Sequence, residues 1–172
     1  MHDENIYANA LLWTVKNVCP QLREGITEVN VPAKNFSCDL ILASQADSNQ
    51  KNTYYCKALF QVKDGKLVYY LSNIRIESSA VIMKKITPME KLQPDKKASH
   101  KEIMDDFVQV ESQVLNKMFD FIVTNQLSPI THWNEISINK PVKGMTEDEC
   151  LLAFGKPQTI QESNLSLIHI SE

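Results

Sequence analysis

Between residues 25 and 77 the apolar residues keep returning at every second position. That period places successive side chains on opposite faces of an extended chain, and no helix satisfies it. Residues 25–31 alternate and end at Pro32. Over 35–44, Phe36, Cys38, Leu40 and Leu42 share a face. Over 53–63, Tyr54, Cys56, Ala58, Phe60 and Val62 do the same. Asp64-Gly65 then separates this run from 66–77, where Leu67, Tyr69 and Leu71 are followed by Ile74 and Ile76. An Asp-Gly pair between two alternating runs is a strong hairpin signal, because both turn positions need positive φ. A fifth, shorter strand is read at Ala80 to Ile86. Consecutive strands joined this way make an antiparallel meander with one buried and one wet face.

Helical spacing flanks the meander. Over about 4–18, Ile6, Ala10 and Trp13 with Leu11, Val15 and Val18 form a stripe, Asp3 stands where a cap belongs, and Pro20 is the stop. Residues 87–98, with Pro88 and Pro94, read as loop. A long helix follows over about 99–126, with Ser99 and Glu102 as a capping box. Ile103, Phe107, Val110, Val114, Met118 and Phe121 form its stripe, widened by Met104, Val108, Leu115, Phe119 and Ile122. So broad an apolar face must cover something, and the sheet is its partner. After Gln126 the chain reads as irregular until Thr146-Glu147-Asp148-Glu149, a second capping box that Gly155 and Pro157 close. The expected fold is α+β: a helix, a meander of four to five strands, and a long helix on one sheet face, then a short helical appendage. The expected division is a domain over 1–127, a linker over 128–143 and an appendage over 144–165.

Two stretches resemble known families. Ile6-Tyr7-Ala8-Asn9-Ala10-Leu11-Leu12-Trp13, the hairpin from Phe60 to Tyr70, and Ser72-Asn73-Ile74-Arg75-Ile76 resemble a bacterial domain of unknown function with a TATA-box-binding-protein-like fold. The resemblance covers residues 4–126. It implies an exported, envelope-associated protein, periplasmic or outer-membrane-associated, with no known catalytic residues. Gly144-Met145-Thr146-Glu147-Asp148-Glu149-Cys150, then Gly155-Lys156-Pro157, is similar to the short helix of the SmpA/OmlA family of small outer-membrane lipoproteins, which implies a scaffolding role. The same residues also read as a capped helical turn with no inherited function. The strands that follow that helix in the family are missing after Gln158, and Ser166 to Glu172 resembles a translated adapter read-through, so a non-native tail is expected over 166–172. The appendage is accordingly expected to be a truncated half-domain that packs poorly.

Chemistry-bearing motifs are sparse. The 172 residues hold only four glycines, none clustered, so no phosphate-cradling loop exists and no cofactor is expected. Cys19, Cys38, Cys56 and Cys150 show no metal spacing and read as buried thiols, Cys150 on the apolar face of its helix. Asp105-Asp106 and Glu147-Asp148-Glu149 read as dipole complement and solubility. Lys84, Lys85, Lys91, Lys96, Lys97 and Lys101 lie close together but lack interleaved aromatics, and the net charge is −3, which argues against nucleic acid. No run is long and apolar enough to span a membrane. The expected function is a non-enzymatic binding or structural module whose partner is a protein or envelope component. Its candidate surface is the wet sheet face, with Thr53, Tyr55, Lys57, Gln61, Val68 and Tyr70. The phase there leaves open whether Tyr69 takes the place of Val68 and Tyr70. The alternative is a Cys-His hydrolase using Cys150 and His132, in which Cys150 is the nucleophile.

Overall fold

A computed structural model describes residues 2–18, 25–43, 52–78, 86–91 and 97–155. Its elements are α1 (Asp3–Asn17), β1 (Ile26–Asn30), β2 (Asn35–Ala43), β3 (Asn52–Lys63), β4 (Lys66–Ser78), β5 (Thr87–Pro88), α2 (Lys97–Thr124), α3 (Trp133–Ser137) and α4 (Glu147–Phe154). The five strands form one antiparallel sheet in chain order, so the fold is an α+β meander with its helices on one face. Cys19, Pro20, the loop after Ala43, most of the strand expected at 80–86, four of the lysines' side chains and everything from Lys156 onward lie outside the described residues or side chains. The fifth strand that is described sits later, at Thr87–Pro88, and pairs with Arg75 and Ile76.

The alternation sorts the sheet as its period dictates. Phe36, Cys38, Leu40, Leu42, Tyr54, Cys56, Ala58, Phe60, Val62 and Ile76 are buried. Tyr69 joins this inner face, half-buried, and its ring lies 6.3 Å from that of Phe60. Val68 and Tyr70 therefore point the other way, which settles the phase. A bulge makes the two halves of β4 compatible. Tyr55 pairs with Arg75 but Lys57 with Ser72, so Asn73 and Ile74 together face Cys56. Asn73 takes φ 51°, in the left-handed region that some bulges use and that asparagine tolerates. At the hairpin, Asp64 (φ 52°) and Gly65 (φ 74°) are both left-handed, as the favoured two-residue turn demands.

α1 departs from the expected stripe. Ten consecutive residues, Ile6 to Val15, are buried, so the helix is enclosed on all sides. It packs on β3 and β4 below, α2 beside it and α4 beyond. A helix buried all round belongs to the interior of a fold, and here α4 and α3 supply the outer cover. Asn9, which such an interior must satisfy, donates to Asn5 O at 2.9 Å and accepts from Asn125 Nδ2 at 2.7 Å, which ties α1 to the end of α2. Asp3 is not a cap: His2 holds that position, and the Asp3 carboxylate instead accepts from the Gly65 N–H at 2.6 Å. This fixes the start of α1 to the hairpin tip.

α2 buries Phe107, Val110, Leu115, Met118 and Ile122, while Met104 and Val108 are exposed, so its stripe is narrower than expected. Ser99 lies inside the helix rather than before it. Two phenols fasten α2 to the sheet. The Tyr54 hydroxyl donates to the Asp106 carboxylate, which also accepts from Asn52 Nδ2 at 3.0 Å. Tyr69 donates to Glu111 at 2.7 Å. Asp106 is thus a structural acceptor and not a solubilising charge.

Residues 128–143, expected as a linker, hold α3, whose Ile136 is fully buried in the same core as the sheet and α1. α4 does not pack poorly: Leu152 and Ala153 are buried, and Lys16 of α1 forms an ion pair with Asp148 at 3.1 Å.

Candidate functional site

The residues singled out on the wet face stand together. Thr53, Tyr55, Lys57 and Gln61 occupy alternate positions of β3, opposite in parity to the buried set. The pairing extends each into a row across three strands. Tyr55 lies between Ile41 and Arg75, Lys57 between Asp39 and Ser72, and Gln61 between Asn35 and Val68. Leu59 lies between Ser37 and Tyr70. Two apolar clusters result, Ile41 with Tyr55, and Leu59 with Tyr70 and Val68, separated by the charged row. Ile41 is 63% exposed, Tyr70 59%, Val68 40% and Leu59 37%. Ile41 and Leu59 share the parity of the residues already named, and that parity is the signal by which sequence reasoning could have included them.

Local bonds hold part of this face in place. Tyr55 donates its hydroxyl to Glu77 at 2.7 Å, and the Arg75 guanidinium lies 6.0 Å from the centroid of its ring. Donation to the Glu77 carboxylate, then burial, raises the Tyr55 phenol above its ordinary value. The phenol therefore stays protonated, and the ring is fixed as a platform beside Ile41. The chemistry available to this face is contact: aromatic and aliphatic area, with Asp39 and Lys57 to set orientation.

A second constellation was missed. Glu149, read as one half of a capping box, does form that box: Thr146 Oγ1 accepts from Glu149 N at 3.2 Å, and Thr146 N donates to Glu149 Oε2 at 2.9 Å. The same carboxylate, 1% exposed, also accepts from Thr131 N at 2.7 Å, Thr131 Oγ1 at 3.1 Å and His132 N at 3.1 Å, with His132 Nδ1 at 3.0 Å from Oε2. Burial alone raises its pKa, but the bonds from Thr146, Thr131 and His132 outweigh that and hold it at about 2. A buried carboxylate with this many donors is a structural anchor, joining the start of α4 to the start of α3. It is neither dipole complement alone nor a solubilising charge.

The Cys-His pair does not come together in this way. Cys150 is exposed, not on an apolar helix face, and no hydrogen bond joins it to His132 among the described residues. The helix turns the position after Glu149 outward once Glu149 faces the core. Cys38 and Cys56 are buried thiols, as expected, and burial first, then the charges of Glu111 and Asp39, pushes Cys56 up to about 11. Among the described residues, no three His, Cys, Asp or Glu side chains gather as a metal site. No described helix is long and apolar enough to cross a membrane.

Comparison of the chain with protein-family models, with curated proteins and with solved structures finds no match.

Proposed function

We propose that this chain is a non-enzymatic binding module of the bacterial cell envelope that presents its helix-free sheet face to a protein or other envelope component. The observation that carries the reading is the exposure of Ile41, Leu59, Val68 and Tyr70 on one face of β2, β3 and β4. Single exposed apolar residues are ordinary on any surface. Clustered ones rimmed by charge are the mark of a contact surface. The envelope assignment rests on the two family resemblances, and the scaffolding role on the one carried by residues 144–157.

Hydrogen exchange of the purified chain, with and without detergent-solubilised bacterial envelope extract, tests it. Slowed exchange confined to 37–43, 53–61 and 66–72 supports the reading, provided that Leu59→Glu with Tyr70→Glu abolishes it. Unchanged exchange along all three strands with every fraction overturns it. A hydrolase reading on Cys150 and His132 has less in its favour, since Glu149 takes the imidazole Nδ1 and, among the described residues, no base is hydrogen-bonded to Cys150.

A further inference from the structure

β1 is an edge of the sheet: it pairs with β2 and, among the described residues, with no other strand. The backbone groups on its outer side are then available to an added strand. Natural edges are commonly blunted by shortness, bulges and charge, and β1 has all three, with five residues, a register shift between Ile26 and Glu28, and the Glu28 carboxylate. A merely blunted edge needs no room beside it. Here a cavity of about 300 Å³ runs along Glu28 to Pro32 and is walled on its far side by Trp133, Asn134 and Ser137 of α3. That volume lies at the lower end of ligand-sized cavities, which run from roughly 300 to 1,000 Å³.

The wall is fixed in advance. Trp133 Nε1 donates to Glu4 at 2.8 Å, and its indole lies 5.5 Å from the Tyr7 ring. The lining also has a definite charge. Among the described residues Glu28 is its single acidic side chain, Glu4 stands behind Trp133, and no lysine or arginine lines it. The two faces of β1 differ in kind. Val29 lies opposite the buried Phe36 and so points toward the helices, whereas Glu28 lies opposite Ser37 on the helix-free side. A strand laid beside β1 alternates likewise.

We propose that this edge binds an extended, basic peptide segment of another protein as a sixth strand on β1. Its apolar side chains fill the cavity against Val29, Val31 and Trp133, and a lysine or arginine lies beside Glu28. Main-chain hydrogen bonds supply the hold, and the cavity and Glu28 supply the selectivity. Glu28 lies on the helix-free side, but the site is built from β1 and α3 and does not depend on the role proposed for β2, β3 and β4.

The probe is a fluorescein-labelled octapeptide alternating valine and lysine, titrated against the full chain and followed by anisotropy. Saturable binding is expected, with slowed amide exchange at 26–31. N-methylating alternate amides in one frame weakens it at least tenfold, and in the other frame leaves it within twofold, because only one set of peptide N–H groups faces β1. Glu28→Lys, an exposed position, weakens it at least threefold, and Ser137→Phe, which fills the cavity, at least tenfold. Circular dichroism confirms that both variants fold. Absence of binding, equal loss in neither or both methylation frames, or equal affinity for the valine–glutamate counterpart overturns the proposal. So does a peptide-free dimer in sedimentation with 26–31 already protected, which would assign the edge to a second copy of the chain.

Discussion

Glu149 accepts from His132 twice, at the backbone N–H (3.1 Å) and, at 3.0 Å, from the ring Nδ1. Against an ionised carboxylate that ring nitrogen carries the proton, so the imidazole orientation is set by α4. Removing the charge while keeping the shape leaves several donors facing a weaker acceptor. Glu149→Gln is therefore expected to lower stability by about 2–4 kcal/mol in urea denaturation, in the range seen when a buried charged hydrogen-bond partner is lost. Thr146→Ala, which removes one capping bond, costs about 1 kcal/mol. A Glu149→Gln loss no larger than that of Thr146→Ala would mean the contacts to Thr131 and His132 are not coupled to folding.

The same carboxylate predicts an acid limb. Its pKa falls from an ordinary 4.5 to about 2 on folding, so the unfolded chain binds a proton more readily. The stabilisation is present in full above about pH 4.5 and is lost as pH falls toward 2, and at neutral pH it amounts to about 3 kcal/mol. The difference in unfolding free energy between the wild-type chain and Glu149→Gln should shrink through that window. A difference constant from pH 6 to pH 2.5 would contradict the assignment.

The helix-free face should be separable from folding. Leu59→Glu and Tyr70→Glu each remove apolar area that is already partly in water and are each expected to move stability by about 0.5 kcal/mol; because the two positions lie opposite each other, the pair loses up to about 1 kcal/mol more through like-charge repulsion. Under the proposed function, binding to envelope extract should nevertheless be lost. A cooperative collapse of the double variant in thermal melts would place these residues in the structural core instead.

Thiol reactivity reads the cysteine positions directly. In the native state iodoacetamide should alkylate the exposed Cys150 and leave Cys38 and Cys56 untouched until urea unfolds the chain. Cys56, raised to about 11, is the less reactive for its pKa as well as its burial. Peptide mass mapping distinguishes the sites. Native labelling of Cys56 would show that the sheet's inner face opens readily.

What the sequence made legible is what local rules govern. Asp64-Gly65 specifies its turn within two residues, and the parity of Tyr54 to Val62 specifies a face within one strand. The reach of Thr146 to Glu149 is one helical turn. What it hid depends on distant partners. Tyr69 and Ile76, of opposite parity, both turn inward because a bulge at Asn73 resets the phase of β4 against Cys56. Residues 128–143 look irregular because α3 is only five residues long, yet Ile136 is anchored by surroundings that no local window contains. The bonds from Thr131 and His132 to Glu149 span 18 and 17 residues, well past any capping pattern. Ile41 and Leu59, by contrast, obeyed the parity rule already in use.

The enclosure of α1 bears on the order in which the chain acquires its structure. β2, β3 and β4 pair with neighbours in sequence, so the sheet's pairings need only short-range contacts. α1 is made before any of them, yet Glu4 waits for Trp133, 129 residues later, and Lys16 for Asp148, 132 residues later. Until α3 and α4 are made, the ten-residue, mostly apolar segment of α1 that they cover has a floor and no roof. α1 is thus made well before the helices that secure it, and a nascent chain stalled before α3 would expose the surface that chaperones and aggregates compete for.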